Sequence, residues 1–192
     1  MSPVVDTKDT IIEVATKLAQ TVGFNAFSYA DIAAAIGIRK ASIHHHFPAK
    51  ADLGAAMVET YRATFTEHLR RIDAKGGKSG ARLKLYAKLY EASLLSERMC
   101  LCGMLASDAS TLAESIQIQV NGFFAEHVAW LARTLDEGRR AGELTFDGAP
   151  AGRAKMILAA LQGALLVARG TDDPTFFETT AHELISGLSP KR

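Results

Sequence analysis

The chain has 192 residues, 22 of them Lys or Arg and 21 Asp or Glu, for a formal net charge of +1. That balance excludes a protein that holds nucleic acid by bulk charge, so any basic surface must be local. Cys100 and Cys102 are too few and too close for a disulfide framework, and they read as free thiols of a cytoplasmic protein. The segment Met1–Thr10 is polar and has no apolar signal core. No run of 18 apolar residues occurs, and the longest apolar-looking run, Met156–Ala168, is broken by Gln162 and Gly163. No membrane partner is expected.

With 5 prolines, 15 glycines and abundant Ala and Leu, the composition favours helices. The first helix is predicted over Thr7–Val22, where Ile11, Ala15, Leu18, Ala19 and Val22 make one stripe. Ser28 followed by Asp31 resembles a capping box with Asp in place of Glu, opening a short helix at Tyr29–Ile36. Gly37 turns the chain into a second short helix, Arg39–His46. Pro48 then starts a long helix, about 49–72. Lys75-Gly76-Gly77-Lys78-Ser79-Gly80 is a connector by composition. Further helices are predicted at about 82–97, 101–108, 112–141, 151–169 and 175–188. Gly142–Pro150 and Gly170–Pro174 form the breaks between the last three. No alternating strand pattern is present. The fold class is therefore all-α, with about nine helices.

Two short helices joined by a glycine turn make a helix-turn-helix. Spacing places Ile32 and Ala33 of the first against Ile43 and Phe47 of the second. Ala34 and Ala35 are expected to permit close approach. Lys40, Ala41, His44 and His45 then face outward, with Ser42 on the flank. From Ile32 to Ala51 there are three permanent cations, Arg39, Lys40 and Lys50, three histidines and no acid. This is the local basic face that the overall charge conceals. Consecutive helical residues point about 100° apart, so His44, His45 and His46 do not chelate one ion together. His46 turns partly back toward the core.

The stretch Ser28, Ile32-Ala33, Gly37, Lys40-Ala41-Ser42-Ile43, His45, Phe47 and Lys50 resembles the DNA-binding signature of the TetR (tetracycline-repressor) family. The resemblance covers about a quarter of the chain. It implies that Arg39, Lys40, Ala41, Ser42, His44 and His45 read bases or grip phosphates, and that Ser28, Tyr29 and Lys50 contact the DNA backbone. His44 stands where the family usually has Tyr. The resemblance further implies a DNA-binding domain at 1–50 and a larger helical bundle at 51–192 for ligand binding and dimerisation.

In the predicted body, Ile116, Val120, Phe123, Phe124, His127, Val128, Leu131 and Leu135 make a stripe too wide for one neighbouring helix. In the family such a helix lines a ligand pocket, which makes Phe123, His127 and Trp130 candidates for an inducer site. Ordinary core packing is the competing reading. Ala160, Gly163, Ala164, Val167 and Ala168 give a small-residue face, and Phe176, Phe177, Leu184, Ile185 and Leu188 supply apolar area on the next helix. Family members build a dimer from these two helices, here 151–169 and 175–188. The alternative is intramolecular core.

Met99-Cys100-Leu101-Cys102-Gly103-Met104-Leu105 resembles a Gly-Cys-Leu stretch in a TetR subgroup that responds to electrophiles or oxidants, with Met99 in place of Gly. Cys100, at a helix start near Arg98, is the candidate reactive thiol. Cys102 would lie about 200° further round the helix. Met104 joins the ligand candidates, and two buried apolar cysteines are the competing reading. The expected function is a ligand-responsive regulator, a repressor, that binds palindromic operator DNA as a dimer and is released by a small apolar or electrophilic inducer. A metal or redox sensor using Cys100, Cys102 and a histidine such as His127 is the alternative. No HExxH, GxSxG, phosphate-loop or dinucleotide motif occurs, so neither enzyme activity nor a cofactor is expected.

Overall fold

The computed structural model describes residues 7–190. Most of the polar Met1–Thr10 segment lies outside them. Among the described residues there are nine α-helices and no strand: α1 (Thr7–Val22), α2 (Tyr29–Ile36), α3 (Lys40–His46), α4 (Lys50–Lys75), α5 (Ser79–Leu95), α6 (Leu101–Ser107), α7 (Glu114–Arg140), α8 (Pro150–Thr171) and α9 (Pro174–Ser186). The all-α architecture is as the sequence predicts. The α5 start moves to Ser79, because only Gly76 and Gly77 of the connector adopt left-handed backbone (φ 63 and 92°). The Glu143 carboxylate accepts the Ser79 backbone N–H at 2.7 Å and so caps that helix start.

The chain divides into two compact units. The first holds the residues up to Ala63 together with Cys100–Gly122, and the second holds Thr64–Met99 together with the chain from Phe123 onward. In the first, α1 packs on α2, α3 and α6, and α2 packs on α3. Its core includes Ile11, Ala15, Ala19, Ile32, Ile43, Phe47, Leu53 and Leu105, all buried. Val22, assigned to the buried stripe by spacing, is instead 55% exposed at the end of α1, and Ile12 is buried. In the second unit, α5, α8 and α9 pack on one another. A Cβ on Gly138 would stand 2.6 Å from the Ser79 Cβ, so α7 reaches the α5 start only because position 138 has no side chain.

Helix α8 has an 18-residue window of mean hydropathy 1.3, long and apolar enough by length and composition to cross a bilayer. Its apolar residues fall into two sets. Ala154, Ile157, Leu158, Leu161, Ala164, Leu165 and Ala168 are buried. Met156, Leu166 and Val167 are exposed, as is Phe176 on α9. The small-residue face read from the sequence is thereby split, since Gly163 is exposed while Ala164 and Ala168 are buried.

Candidate nucleic-acid interface and ligand-sensing residues

The helix-turn-helix is fixed by local signals. The Ser28 side chain accepts the Ala30 N–H at 3.2 Å, and the Asp31 carboxylate accepts the Ser28 N–H at 2.7 Å, completing the capping box. The Ser28 hydroxyl, which donates to the same carboxylate at 2.8 Å, and then the Ser28 N–H hold the Asp31 carboxyl below its ordinary range. Gly37 ends α2 at φ 70°, a left-handed position that suits glycine, and its N–H donates to the Ala33 carbonyl. The chain then re-enters helix at Lys40 with Arg39 as N-cap. Ile32, Ala33, Ile43 and Phe47 are buried. Ala34 and Ala35 are exposed, so they play no part in the contact between the two helices. The outward face of α3 carries Arg39, Lys40, Ala41, His44 and His45, all exposed, with Ser42 and His46 half-buried.

Tyr29 and Lys50 turn inward. Tyr29 is buried, and its hydroxyl donates to the Phe47 carbonyl at 2.9 Å. Burial, then the nearby Asp52 charge, raises its phenol above the usual value. Its ring lies 4.8 Å from that of His44, in an edge-to-face arrangement at 65°. The Lys50 ammonium donates to the Phe24 carbonyl at 2.6 Å and also to the Phe27 carbonyl. It lies 4.7 and 4.3 Å from the two phenyl centroids.

The candidates on α7 sit in an aromatic cluster of the second unit. Phe123, His127 and Trp130 are all buried. The His127 Nδ1 is 2.8 Å from the Tyr86 hydroxyl and 3.4 Å from that of Tyr90, and its ring is 4.0 Å from Phe123 and 5.2 Å from Phe65. Trp130 stacks on Tyr86, and its indole N–H donates to the Asp73 carboxylate at 3.2 Å. Asp73 also binds Arg82 and Arg133, at 2.5 and 2.8 Å. Burial pushes the Asp73 carboxyl up, but bonds from Arg133, Arg82 and Trp130 outweigh it and hold the group low. Two clefts of this unit, about 390 and 360 Å³, lie elsewhere, at Thr145–Asp147 with the end of α9 and between α5 and α9. Phe123, His127 and Trp130 line neither.

Burial lowers the His127 pKa from 6.5 to about 3. An unfolded chain therefore takes up a proton there that the native state refuses. The stability is fully present above pH 6.5 and declines as pH falls from there toward 3. Between pH 7 and pH 5 this one group is expected to cost about 2 kcal/mol of unfolding free energy. Urea unfolding at the two pH values checks it: His127→Gln should lose that part of the acid sensitivity, and an unchanged pH dependence in the variant would contradict the assignment.

The cysteines belong to the first unit. Cys100 is the N-cap of α6, with ψ 123°, and both thiols are buried. Burial, then the neighbouring Cys100 and Cys102, raises the Tyr61 phenol well above the ordinary value. Both thiols thus act on the same phenol. The 200° separation assumed for a regular helix does not apply, because Cys100 has already left helical backbone. Met104 is half-buried. Among the described residues no group of three or more His, Cys, Asp or Glu is placed to hold a metal ion.

Residues 11–57 match the pattern described as bacterial regulatory proteins, tetR family. A solved TetR-family transcriptional regulator from Agrobacterium tumefaciens is 31% identical, with 95% of this chain and 97% of that one covered and a TM-score of 0.93. A TetR transcriptional regulator from Legionella pneumophila is 34% identical over 97% of this chain and all of that one, TM-score 0.89. The chain belongs to the TetR family. The HTH-type transcriptional repressor NemR of Escherichia coli is similar at 25% identity over 85% of this chain and 84% of its own length. As a TetR-family protein the chain is a transcriptional regulator with a helix-turn-helix DNA-binding segment. In this TetR regulator, sequence reasoning missed Tyr61, Asp73, Tyr86 and Tyr90. Only contacts distant along the chain give them a role, and no local motif marks them.

Proposed function

We propose that this TetR-family regulator is a dimeric repressor that a small molecule releases from its operator. The observation that carries the DNA half is the outward face of α3, where Arg39, Lys40, Ala41, His44 and His45 stand exposed without an acid among them. In this reading Ser28, Arg39 and Lys40 hold phosphates, and Ala41, Ser42, His44 and His45 face base edges in the major groove. Residues 1–50 bind DNA, and 51–192 sense the ligand and form the dimer. Repression as the sign of regulation follows the named repressor among its relatives. The exposed apolar residues of α8 and α9 support the dimer. The small molecule works by preferring one of two arrangements of the dimer. A gel shift on duplex DNA flanking its own gene tests the reading: a band that survives excess unrelated DNA is expected, and none at moderate salt would overturn it.

The place of Cys100 at the N-cap of α6, beside the Tyr61 phenol, favours a second reading of the inducer, in which an electrophile adds to the Cys100 sulfur. Brief, low-dose alkylation followed by intact-protein mass spectrometry checks it. Modification of Cys100 ahead of Cys102 in the folded protein, lost in Cys100→Ser, is the expected result. Labelling of both only after unfolding would leave the noncovalent site.

A further inference from the structure

Residues 24–29 and 47–50 are tied together by bonds that run in both directions. Tyr29 donates its hydroxyl proton to the Phe47 carbonyl. Lys50 returns its ammonium to the carbonyls of Phe24 and Phe27 and lies over both phenyl rings. These positions have a particular place in the fold. Phe27 directly precedes the N-cap of α2, and Phe47 is the C-cap of α3. Gly37 joins the two helices at one end. At the other, open end the chain offers no covalent link, and the Tyr29 and Lys50 bonds supply one. Phe24–Ala26 is a single 3-10 turn, so its carbonyls have no continuing helix to accept from.

We propose that Lys50 is a positioning residue that aims α3 by closing the open end of the helix-turn-helix, and that it makes no phosphate contact. An ammonium has three donors, and two of them are held by carbonyls. Reaching outward to DNA would break both bonds and both ring contacts. The side chain is half-buried, and burial lowers its pKa, as expected of a group turned into the protein. The proposal rests on the DNA-binding reading.

Operator affinity measured against salt concentration separates a positioning role from a phosphate contact. Each lost phosphate contact reduces the slope of log K against log salt by about 0.9. Lys50→Met keeps the apolar stem and removes the donors. It is expected to weaken operator binding about tenfold or more with the slope of the parent. Lys50→Arg should restore part of the affinity, since its donors can reach the same carbonyls. Tyr29→Phe, which cuts the opposite tie, should likewise lose affinity at constant slope and carries the comparison if Lys50→Met does not fold. Lys40→Ala is the control, with its slope reduced by about 0.9. A slope reduced by about that amount in Lys50→Met would make Lys50 a phosphate contact and overturn the proposal, as would unchanged affinity. No specific binding by the parent at any salt would remove the DNA-binding reading and this proposal together.

Discussion

Leu166→Glu is expected to convert the proposed dimer to a monomer without unfolding the chain. Leu166 is 62% exposed on α8, beside exposed Gly163 and Val167, with Phe176 exposed on α9. Such a face suits a two-fold interface, in which every substitution acts twice. Losing about 2 kcal/mol of apolar burial at each of two copies weakens dimerisation on the order of a thousandfold. Gly163→Glu should do the same, because an added Cβ there meets nothing within 4 Å in the single chain. Ala164→Arg is the poorer probe: Ala164 is 3% exposed, so a large cation there attacks the core of the bundle itself. Light scattering with a parallel thermal melt reads mass and fold together. A parent that is monomeric at micromolar concentration, or a Leu166→Glu variant that stays dimeric, would contradict the interface.

The double variant Arg39→Ala with Lys40→Ala is expected to lose operator affinity on the order of a hundredfold or more, since each side chain is placed to make a charge-assisted bond. The slope of log K against log salt should fall by about 1.8, two contacts at about 0.9 each. Ser42→Ala and His44→Tyr should change which sequences bind more than how strongly DNA binds in general. His44 matters here because its exposed imidazole stands edge-on to the Tyr29 ring, 4.8 Å between centroids, where Tyr would be a larger group. Binding isotherms at several salt concentrations check both arms. A double variant with the parent's affinity and slope would mean that α3 does not lie against DNA.

What the sequence disclosed was mostly local. Ser28 with Asp31, and Gly37 after Ile36, announce the start and end of α2 within a few residues, and the structure shows a capping box and a left-handed cap at those positions. The period of Ile32, Ala33, Ile43 and Phe47 placed their side chains inward and so turned Lys40, His44 and His45 outward. Lys50 defeated the same reasoning. Its charge is visible in the sequence, but the Phe24 and Phe27 carbonyls that claim it are 26 and 23 residues away and are backbone groups with no residue-type signature. Trp130 is similar: its aromatic character was legible, whereas the engagement of its N–H by Asp73, 57 residues earlier, was not. Cys100 and Cys102 show a third kind of limit. Helical geometry separates them, yet Cys100 caps α6 in non-helical backbone, and one phenol feels both thiols.

Selection of bound sequences from a random duplex pool at physiological salt tests the central claim most directly. A dimer presenting two copies of α3 is predicted to enrich a two-fold symmetric site whose half-sites lie about 34 Å apart, or a multiple of it, and to bind it at least about a thousandfold more tightly than unselected DNA. A pool that shows no enrichment, with weak binding that disappears at moderate salt, would contradict it.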